Sequence, residues 1–365
     1  MQKPKKITKI TFSVLLIGIT LSLALNFAPI VSSVNAAMGN EELPVIIKMK
    51  NDKDFSTKKM KTKDIDKLRN SPDVEYVEID ELQNTQVENV TYQEATVKAP
   101  LAWPKMTLLT SKTLVAVCDT GVESTHSDLQ ENLRKDLGYD IYNNTVTGWD
   151  FIQNPHGTMV SGTIAATANN DVGTRGIATK VEIMPLKISF DSTGSSYLST
   201  MATCIKYAAD KGAKVVNVSY SGLASRTIQD AASYAMSKNT NVVFAMGNEN
   251  KVLTNSNNTN IIAVMATDSS NNKASFSNTG KPVDLAAPGV AILTTTTGNG
   301  YATVSGTSFS SPIAAGVIAM ARGKNPTLTA SNIVSNLKTY TNDLGAAGYD
   351  TTFGHGLIDA DKTVK

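Results

Sequence analysis

The stretch Val304-Ser305-Gly306-Thr307-Ser308-Phe309-Ser310-Ser311-Pro312 sets a small serine, Ser308, between a glycine-containing turn and an apolar run over residues 313–320. A serine at the start of a helix is exposed, and the unpaired backbone N–H groups there face any anion that forms beside it. Serine alone is a weak nucleophile and needs a base, with something to orient that base. The chain offers both. His156 opens the small-residue stretch His156-Gly157-Thr158-Met159-Val160-Ser161-Gly162, and Asp119 follows directly on an apolar strand before Thr120-Gly121. A base held by a buried carboxylate can take the serine proton and return it to a leaving group, which is acyl-transfer chemistry. A fourth piece supplies electrostatics: an apolar strand over 242–246 runs into Gly247 and then Asn248, whose amide can donate to an oxyanion beside the Ser308 N–H. Only three histidines occur, which makes the choice of base easier: His126 falls in a polar loop and His355 in a glycine turn.

These residues need a frame. Residues 114–118, 181–188, 215–219, 242–246 and 261–265 read as buried strands. Between them Leu198, Met201, Ile205 and Ala209 recur at helical spacing, as do Ile228, Ala231, Ala232 and Ala235. Such alternation predicts an α/β domain with a mostly parallel sheet covered on both faces, which places ligands at the carboxyl ends of its strands. The patches 294–297 and 255–260, rich in Thr and Asn, read as surface loops.

The formal net charge of +2 over 365 residues gives no field that would draw nucleic acid or a membrane surface. Lys3, Lys5, Lys6 and Lys9 precede an apolar run over 10–28, and Val34-Asn35-Ala36 follows as a small-residue cleavage signal. This is the layout of a secretory signal peptide over 1–36, so a secreted, extracellular protein without a stable membrane anchor is expected. Residues 37–86 are rich in lysine and acids, with two candidate strands (45–50 and 74–79) around a helix near 64–70. So small a unit buries little core, and is either a small α+β prodomain stabilised by a partner or a poorly ordered leader. The remaining residues, 87–365, form the main domain. Cys118 ends a strand and Cys204 lies in a helical pattern far along the chain, so two buried free thiols are expected rather than a disulfide.

In four blocks the chain closely resembles the subtilisin-like serine proteases: Asp119-Thr120-Gly121, His156-Gly157-Thr158, Gly247-Asn248, and Gly306-Thr307-Ser308 with Ser311-Pro312. Ala287-Pro288-Gly289 and Gly354-His355-Gly356 add to the likeness. The resemblance implies a three-layer subtilisin-like fold and an endopeptidase. In it Asp119 orients His156, His156 is general base and acid, Ser308 is the nucleophile and Asn248 the oxyanion donor. Residues 68–78 resemble the family's propeptide, which implies that this unit inhibits its own enzyme; Val97-Lys98-Ala99-Pro100 resembles a segment near the mature N-terminus, and counting back from it puts the self-processing junction near Gln86–Val87. Asp128, at the family's spacing after the Asp119 block, implies a structural calcium, with Asn170 in the loop 167–174 and Glu88 as further oxygen ligands. Ser219-Tyr220-Ser221-Gly222 resembles the segment that pairs with substrate and walls the primary pocket, with Ser221 where a glycine is usual. Thr193-Gly194-Ser195 resembles the opposing edge strand, and both would hold an extended peptide by β-augmentation. The loop 250–260, shorter than usual in the family, normally shapes the pocket floor.

The expected protein is a monomeric, secreted serine endopeptidase made as a zymogen and acting on peptides or proteins. A narrower form would be a dedicated protease that removes the leader of a secreted peptide precursor, in the manner of lantibiotic maturation enzymes. A catalytically dead peptide-binding protein would not need all four blocks intact. An esterase or lipase on an α/β-hydrolase fold would want Gly-x-Ser-x-Gly and the order Ser, Asp, His, and has neither here.

Overall fold

The computed structural model describes residues 42–79, 90–150, 153–255 and 260–365. The expected signal peptide, Gln86, Val87 and Glu88 lie outside them. The chain divides into two compact units, residues 1–84 and 85–365. Among the described residues no helix is long and apolar enough to cross a membrane.

In the first unit β1 (Glu42–Met49), β2 (Ser56–Lys61), α1 (Thr62–Arg69) and β3 (Val74–Ile79) form a small α+β arrangement. The sheet is antiparallel in the order β2-β1-β3. Val45, Ile47, Ile65, Val74 and Val77 make its core. β2, Ser-Thr-Lys-Lys-Met-Lys, escapes a reading by apolar alternation because it is an exposed lysine-rich edge.

The second unit opens with α2 (Tyr92–Thr96) and α3 (Ala99–Met106), then alternates strand and helix: β4 (Thr113–Asp119), β5 (Tyr139–Asp140), α4 (His156–Ala165), β6 (Val181–Lys187), α5 (Leu198–Asp210), β7 (Val215–Val218), α6 (Arg226–Ser237) and β8 (Asn241–Ala245). A short parallel pair, β9 (Val252–Leu253) with β11 (Thr279–Gly280), flanks β10 (Ile261–Thr267) in sequence. There follow β12 (Leu285–Pro288), the antiparallel hairpin β13 (Ile292–Thr296) and β14 (Gly300–Val304), α7 (Thr307–Lys324), α8 (Ala330–Ser335), β15 (Thr341–Asn342), β16 (Leu357–Ile358) and α9 (Ala360–Thr363). Nine strands make one sheet in the order β15-β16-β12-β10-β8-β7-β4-β6-β5. Every neighbouring pair in it is parallel except β15 with β16.

Alternation along β4 explains the three layers. Val115 and Val117 face a core shared with Val160 and Ile164 of α4 and Ile313 and Val317 of α7. Ala116 and Cys118 face the other side, with Met201 and Ile205 of α5 and Ile228 and Ala232 of α6. Successive side chains leave a strand on opposite faces, so a sheet covered twice reads as continuously apolar.

Two expectations are corrected here. Cys118 and Cys204 are not free thiols: they form a disulfide, with Cα atoms 6.1 Å apart across 86 residues of chain. Sequence distance misled, because α5 packs on the β4 face that Cys118 points to, and brings Cys204 within bridging range. The threonine patch at 294–297 is not wholly a surface loop. Thr294 and Thr295 are fully buried in β13. Their hydroxyls donate to the Met159 carbonyl (2.6 Å) and the Thr158 carbonyl (2.8 Å) of α4. Gly162 permits this approach, since a Cβ there would fall 2.1 Å from Thr295 Oγ1.

Candidate active site

Asp119 and His156 come together because β4 ends where α4 begins. The His156 Nδ1 and Asp119 Oδ1 atoms are 2.7 Å apart. Asp119 Oδ1 also accepts the Thr120 N–H at 2.8 Å. The Thr120 hydroxyl accepts the Gly157 N–H (2.9 Å) and donates to the Asn154 carbonyl (2.8 Å), while Asn154 Oδ1 accepts the His156 N–H (3.0 Å). Gly157 is required at this junction, because a Cβ would lie 2.2 Å from the Gly121 carbonyl oxygen and 3.1 Å from Asp119 Cβ. Burial pulls the His156 pKa down, but the charge and hydrogen bond of Asp119 together outweigh it and hold the imidazole above the ordinary histidine value.

Ser308 sits in the first turn of α7, half-buried. Pro312, one turn on, has no N–H to give the Ser308 carbonyl, as an α-helix would require. The Ser219 hydroxyl donates to that carbonyl instead, at 2.9 Å. It also accepts from Asn217 Nδ2 (2.9 Å) and pairs with the Ser311 hydroxyl (3.0 Å), so the end of β7 is tied to the start of α7. The Ser308 hydroxyl donates to the Ser219 carbonyl at 3.3 Å. The ring of Phe309 lies 5.8 Å from the His156 imidazole, which sets the start of α7 beside it.

Asn248 follows β8 through Gly247, which has φ 95°. Its Oδ1 accepts both the Thr307 N–H and the Thr307 hydroxyl, each at 2.9 Å, and the same hydroxyl accepts the Gly247 N–H at 3.0 Å. Two donors on Oδ1 determine which way the amide faces and leave Nδ2 turned elsewhere. A Cβ on Gly306 would lie 3.4 Å from Asn248 Nδ2 and 3.7 Å from the Ser308 nitrogen. Two N–H donors thus flank one small space that only glycine leaves open. Sequence reading did not find the parts played by Thr307, Asn154 and the Ser219 hydroxyl, because a short polar side chain carries no signal until its partner is known.

The segments 219–222 and 193–195, expected as the two sides of a substrate cleft, approach each other, with the Tyr220 hydroxyl donating to the Gly194 carbonyl at 2.7 Å. Neither is a strand: β7 stops at Val218, and Thr193-Gly194-Ser195 is a turn organised by Asp191, not the expected edge strand. Asp191 Oδ1 accepts the Thr193 N–H (3.1 Å), the Thr193 hydroxyl (2.7 Å) and the Ser195 N–H (3.0 Å). Ser221 and Gly222 border a cavity of about 590 Å³ with Ala245, Met246 and Glu249. Lys251, Leu253 and Asn255 also line it, so the 250–260 loop does reach the cavity. Glu249 is held by Asn278 Nδ2 at 2.6 Å.

Asp128 and Asn170 also meet. Asn170 Nδ2 donates to Asp128 Oδ1 (2.9 Å), and the Thr174 N–H donates to Asp128 Oδ2 (3.1 Å). Both carboxylate oxygens accept N–H donors, and no cluster of three His, Cys, Asp or Glu occurs among the described residues. As they stand these residues do not make a calcium shell by themselves, and Glu88 lies outside the description. His126 is fully buried, its Nε2 3.0 Å from the Gly300 carbonyl oxygen.

A family model described as the subtilase family matches residues 110–356. The thermophilic serine proteinase of Bacillus sp. strain AK1 is 41% identical over 270 residues, covering 71% of this chain and 66% of that protein. The M-protease of Shouchella clausii strain KSM-K16 is 36% identical over 307 residues, 83% of this chain and 77% of the relative. Thermitase of Thermoactinomyces vulgaris is 35% identical over 285 residues, 75% of this chain and 95% of the relative.

Proposed function

Because the chain belongs to the subtilase family of serine proteases, we propose that it hydrolyses peptide bonds with Ser308, His156 and Asp119 as its triad. The Ser308 side chain turns from the Ser219 carbonyl toward His156. His156 Nε2 takes the hydroxyl proton as Oγ bonds the substrate carbonyl carbon, and Asp119 stays ionised and holds the Nδ1–H tautomer. Asn248 Nδ2 and the Ser308 N–H stabilise the negative oxygen. His156 then gives its proton to the leaving amine as the C–N bond breaks, and water releases the acyl group by the same route in reverse. The observation that carries this reading is the 2.7 Å His156–Asp119 pair, with the Asn248 Nδ2 and Ser308 backbone nitrogens bordering one small space at Gly306 next to the serine.

The same reading takes residues 1–36 as an export signal, 37–86 as a propeptide and inhibitor, and the bond between Gln86 and Val87 as the self-processing site. It also places a structural calcium at Asp128, where the Asn170 amide, turned over, would offer an oxygen in place of its NH₂, with Glu88 and the carbonyls of the 167–174 loop completing the shell. The dedicated leader-peptidase form is not favoured, since none of the three relatives named above bears the name of a leader peptidase.

Ser308→Ala tests the central claim. Peptidase activity should fall by about 10⁶, a magnitude borrowed from triad removal in subtilisin, and the secreted product should keep residues before Val87. A variant that still matures in a protease-free host would exclude self-processing, and one that keeps most of its activity would exclude Ser308 as nucleophile.

A further inference from the structure

The two walls of the cleft are already joined by a side chain. Tyr220, half-buried, reaches across from the 219–222 segment, and its hydroxyl donates to the Gly194 carbonyl at 2.7 Å. Its ring stands nearly edge-on to His156, with centroids 6.3 Å apart. Burial, then the charges of Asp119 and Asp191, push the phenol pKa up, so it remains a protonated donor. Gly194, at φ 82°, is wedged in place: a Cβ on it would lie 3.1 Å from Thr120 Cγ2 and 3.3 Å from Asn154 Nδ2. Those two residues also hold the turn that carries His156.

An extended peptide between two walls turns successive N–H groups to alternate sides. The Ser219 carbonyl oxygen lies 3.3 Å from the Ser308 hydroxyl. The residue whose carbonyl is attacked therefore turns its N–H to the 219–222 wall. The residue before it turns its N–H to the opposite wall, toward Gly194. That acceptor is held by a donor arriving from across the cleft, the direction from which a peptide N–H must come. The phenol takes the lone pair on the Tyr220 side of that oxygen, so an incoming N–H competes with it for the approach from the cleft, and a donor left unpaired there is costly. Proline brings no N–H and loses nothing.

We propose that Tyr220 is a specificity-determining residue that favours substrates lacking a backbone N–H, proline above all, two positions before the cut bond. The proposal rests on the endopeptidase reading above. The test uses one peptide series with alanine, N-methylalanine or proline at that position, cleaved by the mature protein and by Tyr220→Phe. Active enzyme is counted by fluorophosphonate titration of Ser308. The wild type should cleave the proline and N-methylalanine peptides with kcat/KM at least equal to that for alanine. Tyr220→Phe keeps the ring but frees the carbonyl, and should move the ratio toward alanine by about tenfold. A tenfold wild-type preference for alanine over N-methylalanine overturns the proposal even if the variant does not fold, as does an equal ratio in both enzymes. Absence of fluorophosphonate labelling in the wild type overturns the endopeptidase reading and this inference with it; labelling with discrimination against N-methylalanine overturns this inference alone.

Discussion

At His156 two opposing forces act on one proton. Burial favours the neutral ring, while Asp119 favours the charged one and prevails, so the folded pKa stands above the ordinary histidine value. In the proposed mechanism the general base must be neutral, so kcat/KM should rise with pH through a midpoint above that value. The stability contribution has the opposite sense. An unfolded histidine titrates at its ordinary value, so the His156–Asp119 attraction contributes fully below it and is lost as pH rises through the raised folded value. Asp119→Asn removes the charge and leaves burial dominant. The imidazole titration, followed by NMR, should move to lower pH, and the rate plateau should fall by about 10⁴. A titration that stays in place or moves up would mean that Asp119 does not set this pKa. Residue types and order were legible without coordinates here, because acyl transfer needs a nucleophile, base, acid and oxyanion donor whatever the fold.

Elements bring these residues together through their ends. Asp119 closes β4, His156 opens α4, Asn248 follows β8 and Ser308 lies in the first turn of α7, so each proposed functional group projects where a regular backbone ladder stops. The buried strands were legible from apolar runs, and the helices from their spacing. What escaped were elements without such patterns: the lysine-rich β2, and β13, whose threonines are buried by hydroxyl bonds to α4 rather than by apolar contact. The proposed calcium belongs to this scale, since it would pin the 167–174 loop to Asp128. Chelation should lower the thermal midpoint of the mature protein, and Asp128→Asn should abolish that dependence on calcium. A midpoint indifferent to chelator would leave the loop closed by its own hydrogen bonds alone.

Across the whole second unit, the disulfide links strand β4 to helix α5 on one face of the sheet. Cys118 directly precedes Asp119, so this staple also ties the helix after the 191–197 turn to the base of the site. Closing a span of 86 residues restricts the unfolded chain. Replacing both cysteines by alanine should cost about 2–4 kcal/mol of stability, read from urea unfolding. An unchanged urea midpoint, with both thiols free to react in the unfolded wild type, would show that the bond does not form in solution.

Composition, apolar periodicity and four short motifs determined the α/β class and pointed to the residues proposed for the chemistry, because these depend on residue type and local spacing. Tertiary structure alone decided the rest. It paired two cysteines far apart in sequence, freed the Ser308 carbonyl at Pro312 for the Ser219 hydroxyl, and turned Asn248 by giving both Thr307 donors to its Oδ1. It also laid Tyr220 across the cleft onto Gly194. Each of these is a contact between groups remote along the chain, and a hydrogen bond or disulfide has no trace in sequence until the fold brings its two halves within about 3 Å or a bond length.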